Sequence, residues 1–309
     1  MIKKKVPKPI ILFASALLFG LTACGGGSSD IAYDVKMGEF TPPAIMSEIP
    51  DSLKDACEGG GLIDEIKDRG TLNWAIGVSP PFGFKLEDGT WAGVEAQAAA
   101  ELAKILGVDF EITDYSYDIL PNTVVTGQAD IIGAQLFATD KRREVIDFSD
   151  PYYLAGQLFY VLADSKYQSI DDLNAEDVRF VYGTGGGQGD LGKKYLPKAK
   201  ISDAPLRGQL LPYDILAAGQ ADVTMTEAAP MKVIFDKFPD PALAAIGKNG
   251  RVKADYASDD EIIDPFDVAF GFKKDDAAWK GCVNAWVTEL RSSGAMSARL
   301  DYWLAQNVG

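Results

Sequence analysis

The sequence predicts an α/β protein built on mostly parallel sheets, and three observations carry that prediction. Segments with strand period and helix period alternate from residue 61 onward. One helix–turn–strand phrase is used twice. Tyr117-Asp-Ile-Leu120 leads to Gly127-Gln-Ala-Asp130, and Tyr213-Asp-Ile-Leu216 leads to Gly219-Gln-Ala-Asp222. The 309 residues also leave room for two modest domains once the N-terminal segment is set aside.

That N-terminal segment reads as an export signal. Lys3, Lys4, Lys5 and Lys8 precede an apolar run from Ile10 to Gly20, which is shorter than the roughly 20 residues a spanning helix needs. Leu21-Thr22-Ala23-Cys24 follows, then a Gly25-to-Ser29 stretch suited to a flexible tether. Residues up to about 57 lack a sustained period and read as tether and lead-in. Apolar residues at helical spacing over 61–70 predict a helix stopped by Gly70. Thr71 to Val78 alternates as a strand, broken by Ser79-Pro-Pro-Phe-Gly83. Asp88-Gly89 predicts a hairpin turn. Val94 to Leu106 predicts an alanine-rich helix closed by Gly107, with a strand over 108–112. A further strand is expected over Asp130–Leu136. Val178 to Gly189 reads as a strand entering a glycine-rich turn, whose exposed N–H groups often face an anion. It lacks the Gly-Lys-Ser/Thr of a P-loop and the spacing of a dinucleotide fingerprint.

Composition narrows the chemistry. Without the four lysines of the signal, positive residues fall from 30 to 26 against 45 acids, a net charge near −19. That argues against nucleic-acid partners and against docking on anionic lipid. The chain has no histidine, which excludes Ser-His-Asp and Cys-His catalysis and any histidine-ligated zinc. Three cysteines do not make a metal cluster, and no metal or cofactor is expected. With Cys24 set aside, Cys57 and Cys282 remain in an oxidising compartment. Pairing is the favoured reading, with two separate buried thiols as the alternative.

Two side chains stand out as candidates for binding. Arg142 follows a predicted strand, and its planar fork of donors fits a carboxylate in bidentate fashion. In open α/β sheets, ligands lie beyond the carboxyl ends of strands. A surface arginine, as its neighbours Lys141 and Arg143 read, is the alternative. In the duplicated phrase, Gln135 and Glu227 each lie five residues past the aspartate. Equal offsets suggest equivalent strand ends, so two facing lobes would direct both residues into one cleft.

Several motifs resemble the extracellular solute-binding proteins of ABC importers, in the polar amino-acid-binding family (family 3). They are Arg69-Gly-Thr-Leu72, Pro80-Pro-Phe-Gly-Phe84, Ala103-Lys-Ile-Leu-Gly107, Thr139-Asp-Lys-Arg142 and Ile146-Asp-Phe-Ser-Asp-Pro-Tyr152, with Phe270-Gly-Phe-Lys-Lys-Asp275 near the end. The resemblance covers roughly residues 61–305. It implies a two-lobed periplasmic-binding-protein fold of type II, with mixed, mostly parallel sheets flanked by helices and two crossing strands. The implied division is a signal peptide over 1–23, lipidated tether and lead-in over 24–57, one lobe from 58–154 and 264–309, and the other from 155–263. The Leu-Thr-Ala-Cys run resembles a lipobox, which implies lipidation at Cys24 and a place in the bacterial cell envelope.

The resemblance also implies roles. Arg142 falls on the arginine that holds a ligand carboxylate, and Phe137 where a backbone N–H joins it. Thr184, beside Gly185, falls where the second lobe adds a hydroxyl or N–H. Glu227 falls on the acid that takes an α-ammonium. Ile76 falls at the side-chain pocket, and Tyr115 or Tyr117 near the aromatic lid; Ser79 is a further candidate ligand contact. This chain departs from the pattern. Small hydroxyl residues are usual where it has Ala134, Gln135 and Phe137, and Glu227 is one methylene longer than the usual aspartate. Ile76 stands where members that bind cationic side chains often carry an acid. The implied function is capture of an amino acid or similar small carboxylate by a monomer, hinge closure, and delivery to a membrane permease, without chemistry. Cyclohexadienyl dehydratases, which resemble the same family, are the enzymatic alternative. A ligand-sensor subunit is another.

Overall fold

A computed structural model describes residues 46–205, 210–227, 242–252 and 260–308, together with the short strands Ala32–Tyr33 and Val35–Lys36. The signal segment and Cys24 lie outside the described residues. Among the described residues, no helix is long and apolar enough to cross a membrane.

Two sheets define two lobes. In the first, the strand Thr71–Ile76 pairs in parallel with Asp109–Asp114 on one side and Ile131–Ile132 on the other. Gly271–Phe272 then joins antiparallel, between Ile131–Ile132 and Asp147–Phe148. In the second, Arg179–Gly183 pairs in parallel with Lys200–Ala204 and with Val223–Glu227. The long strand Tyr153–Leu162 lies antiparallel to Val223–Glu227, Leu243–Gly247 and Ile263–Val268. Tyr153–Leu162 and Ile263–Val268 are the two crossings. Each begins or ends beside first-lobe residues, and they pair with each other from Gln157↔Ile263 to Tyr153↔Val268.

Cores follow the sheets. Trp74, Phe270, Trp279 and Trp286 are fully buried in the first lobe, with Phe270 sandwiched between Trp286 at 4.8 Å and Tyr152 at 4.4 Å. The second lobe closes on Phe159, Phe180, Val223 and Ile246. The helix Val94–Leu106 ends as its sequence predicts, at Gly107 with φ 73°. Its buried face carries two acids, Glu95 and Glu101. Glu101 is paired with the fully buried Arg299 at 2.9 Å and also accepts from Trp286 Nε1 at 3.1 Å.

Two expectations need correction. Part of the lead-in is packed structure. Asp51–Ala56 is a helix with Leu53 buried, and the Met46 N–H donates to Glu101 Oε1 at 2.5 Å. One turn and a half of helix is too short to show a period, so its single buried leucine gave no signal. The predicted strand Asp130–Leu136 is regular only over Ile131–Ile132, because Gln135 turns the backbone left-handed with φ 51°. The sulfurs of Cys57 and Cys282 are bonded, with Cα atoms 4.7 Å apart. That bond ties the lead-in to the helix Ala277–Ser292.

Candidate functional site

The duplicated phrase builds both walls of the site. In the first copy, the helix Leu120–Val125 turns at Gly127, φ 73°, into the strand at Ile131. In the second, the helix Leu210–Ala217 turns at Gly219, φ 65°, into the strand Val223–Glu227. The fifth residue after each aspartate does reach one place. Gln135 Nε2 donates to Glu227 Oε2, joining the lobes.

Arg142 sits on the single helical turn Asp140–Arg143, capped by Thr139, whose hydroxyl accepts from the Arg142 N–H. Lys141 and Arg143 are exposed, whereas Arg142 is only 8% exposed. Its Nη1 donates to the Phe137 carbonyl and its Nη2 to the Gly185 carbonyl, both at 2.8 Å. The second bond spans the lobes. Among the described residues, no carboxylate lies within ion-pair distance of Arg142, whereas Arg69, Arg179 and Arg299 each have one. Burial without an anion lowers its pKa to about 10. A buried cation held by neutral carbonyls has no acid beside it to offset the cost of its burial.

Glu227 is equally enclosed, at 2% exposed. Oε2 takes the Gln135 amide and Oε1 takes the Tyr153 hydroxyl. Gln135 is held from three directions. Its N–H donates to Glu95 Oε1 at 3.0 Å, its Oε1 accepts from Ser79 Oγ at 3.1 Å, and its Nε2 meets Glu227. Glu95 also accepts from the Tyr152 hydroxyl, and burial raises its pKa to about 7. Burial and the nearby carboxylates also push the hydroxyls of Tyr152, Tyr153 and Tyr160 upward, so all three stay protonated donors.

A narrow cleft lies between these walls. Tyr117, Phe137 and Met225 give it apolar surface, and Arg142, Gln135 and Glu227 give it polar groups. Gly183, Gly186, Gln188 and Thr226 complete the second-lobe side. Among the described residues, no cluster of three or more His, Cys, Asp or Glu could hold a metal.

Comparison with known proteins decides the family. Residues 72–306 match the bacterial extracellular solute-binding proteins, family 3. The chain belongs to this family. The L-cystine-binding protein TcyJ of Escherichia coli (strain K12) is 32% identical over 127 residues, 40% of this chain and 48% of that protein. The chain thus spans about half the length of that relative. Two solved structures overlay more fully. The ancestral amino acid-binding protein AncCDT-1, a precursor of cyclohexadienyl dehydratase, is 28% identical with a TM-score of 0.66, over 79% of this chain and 100% of that one. The amino acid ABC transporter substrate-binding protein AbpA of Streptococcus pneumoniae, bound to L-arginine, is 26% identical with a TM-score of 0.67, over 80% and 99%.

In this family 3 protein, not every residue singled out in the sequence reaches the cleft. Arg142, Gln135, Phe137, Glu227 and Tyr117 line it. Gly185 contributes its carbonyl to Arg142. The glycine turn therefore offers an acceptor to a cation there, opposite to the anion-facing N–H groups expected of it. Thr184 turns away, with its hydroxyl on Asp203 at 2.6 Å and its N–H on the Ala204 carbonyl at 2.8 Å. Ser79 is fully buried behind Gln135, and Ile76 is buried against Gly83. Tyr115 packs on the apolar cluster below the first-lobe sheet, its N–H on the Ile76 carbonyl at 2.8 Å. Sequence reasoning missed Tyr153, Gln188, Met225, Thr226 and the supporting Glu95. Tyr153 follows the Pro-Tyr of a recognised motif directly, and Met225 and Thr226 precede Glu227, so proximity to motif residues was the available signal.

Proposed function

We propose that this protein is the ligand-capturing subunit of an ABC importer for an amino acid or similar small carboxylate. One observation carries the reading. Arg142 is a buried guanidinium without an acidic partner among the described residues, and it faces the cleft between the lobes. A carboxylate entering there supplies the missing charge through charge-assisted bonds. The contacts that span the lobes, Arg142 to Gly185 and Gln135 to Glu227, support a closed form that encloses its ligand. The family, and relatives described as cystine-binding and as an ABC transporter subunit, support transport. The permease is the expected membrane partner. Lipidation at Cys24 would hold the protein at the cell envelope as a monomer near that partner, and Cys24→Ser should release it from the membrane fraction.

A thermal-shift screen of amino acids and small carboxylates tests the reading. A ligand at about 100 times its Kd adds roughly 2.7 kcal/mol of stability. A clear rise in Tm with at least one carboxylate is expected, and Arg142→Ala should abolish it. A screen in which carboxylates never shift the Tm would contradict the reading. A dehydratase reading has one observation behind it, the buried Glu227 carboxylate in a fold shared with a dehydratase precursor. Both Glu227 oxygens already accept from neighbours, which suits a fixed anion better than a proton donor. No turnover of prephenate or arogenate is expected.

A further inference from the structure

The most unusual residue in the cleft is Gln135. It is one of two non-glycine residues with positive φ among the described residues, and the only one of the two that lines the cleft. A left-handed glutamine is uncommon and strained. Such strain persists where surrounding contacts fix it. Here they do, because the N–H on Glu95, the amide oxygen on Ser79 and the amide nitrogen on Glu227 hold the side chain from both ends. Gln135 is 4% exposed and Ser79 and Glu95 are fully buried, so the support is rigid.

The consequence falls on Glu227. Its Oε1 is occupied by Tyr153 and its Oε2 by the Gln135 amide. An amide N–H donates to a carboxylate in the same direction an ammonium would, but brings no charge. A ligand ammonium would have to displace Gln135, leaving a buried amide donor without its partner, while the backbone strain remained. A buried donor left unsatisfied costs roughly 1–3 kcal/mol, which is about 5- to 150-fold in affinity. A ligand with a carboxylate and no amine meets no such cost, because Arg142 takes the carboxylate and the Gln135–Glu227 contact stays.

We infer that Gln135 is the specificity-determining residue of this cleft: its amide fills the ammonium position on Glu227, so the site selects small carboxylates that lack an α-amino group. The inference rests on the binding reading above and narrows its ligand class. Gln135 discriminates by occupying the position against one class of ligand rather than by attracting the other.

Calorimetry on matched pairs tests it. The probes are alanine against propionate, norleucine against hexanoate, and phenylalanine against phenylpropionate. The wild-type protein should bind the better amine-free partner at least about tenfold more tightly than its amino acid, a difference of about 1.4 kcal/mol. Gln135→Gly vacates the position and suits the left-handed backbone. It should raise amino-acid affinity about tenfold or more relative to the matched amine-free ligand. Gln135→Asn, one methylene shorter and tolerant of the same φ, should shift selectivity in the same direction and guards against misfolding of the glycine variant. Adding Glu227→Gln to Gln135→Gly should cancel the gain. A wild-type preference for the amino acid, or a Gln135→Gly variant with unchanged amino-acid affinity, overturns the inference while leaving the binding reading intact. Failure of every form to bind either class overturns the binding reading and this inference with it.

Discussion

The two copies of the helix–turn–strand phrase meet the same problem with different chemistry. In each, the aspartate opening the strand reaches the start of the neighbouring strand. Asp130 donates its N–H to the Asn73 carbonyl and accepts from the Asn73 N–H and from Arg69. Asp222 donates to the Arg179 carbonyl and accepts from the N–H, Nε and Nη2 of Arg179. The Asp130 side chain is 5% exposed and that of Asp222 is 23% exposed. Burial dominates at Asp130 and raises its pKa, whereas the hydrogen bonds from Arg179 lower that of Asp222. The strands then diverge. The second runs straight for five residues to Glu227, and the first breaks after two and twists at Gln135. One repeated phrase thus delivers an amide and a carboxylate to a single point. The repeat sets position, and the residue at its end sets chemistry.

The largest difference between the lobes lies in their staples. The first holds the Cys57–Cys282 bond, which closes a sequence separation of 225 residues, and no disulfide is found in the second among the described residues. Replacing both cysteines by alanine should cost about 4–5 kcal/mol on the chain-entropy argument. Hydrogen exchange should show lost protection in the first-lobe helices and little change in Arg179–Gly183. Equal loss in both lobes would break the comparison.

A smaller difference is the support beneath the two strand ends. Glu95 sits below Gln135, with its pKa raised from 4.5 to about 7 by burial. A raised carboxyl favours its protonated form in the folded state. Folding therefore carries no penalty from this group below its ordinary value of 4.5, loses stability as pH rises toward 7, and is constant above. The whole effect is about 3 kcal/mol. Glu95→Gln should flatten the urea-denaturation stability profile between pH 4.5 and 7, and an unchanged slope would refute the assignment.

The smallest effects concern the paired aspartates. Asp130→Ala leaves the Asn73 N–H and Arg69 without their acceptor in a buried place, at about 2 kcal/mol. Asp222→Ala removes a more exposed pair and should cost about 1 kcal/mol. The acid responses should also oppose each other. The Asp222 contribution is present above the ordinary carboxylate range and lost as pH falls through its lowered pKa. The Asp130 penalty is relieved as pH falls. Equal costs for the two variants in urea denaturation would sink the contrast.

Much of this was legible in the sequence because it rests on local signals. Gly107 and Gly127 stop their helices, and the repeated phrase aligned Gln135 with Glu227 before any contact was visible. What was illegible depends on long-range packing. Asp51–Ala56 is too short to show a period, and its place depends on Cys282, far along the chain and bonded to the adjacent Cys57. Thr184 turns away because Asp203, on the next strand, captures its hydroxyl. The break in the first strand at Gln135 is imposed by Glu95, Ser79 and Glu227, which lie 40, 56 and 92 residues away.

The central claim is that Arg142 is the anion-binding end of an interlobe cleft. Isothermal titration of wild-type protein and Arg142→Ala, with whichever carboxylate raises the wild-type Tm most, tests it directly. Loss of about 2–5 kcal/mol is expected, roughly 30-fold to several thousand-fold in Kd, with the variant still folded by circular dichroism. A folded Arg142→Ala variant that binds the same carboxylate with unchanged Kd would contradict it.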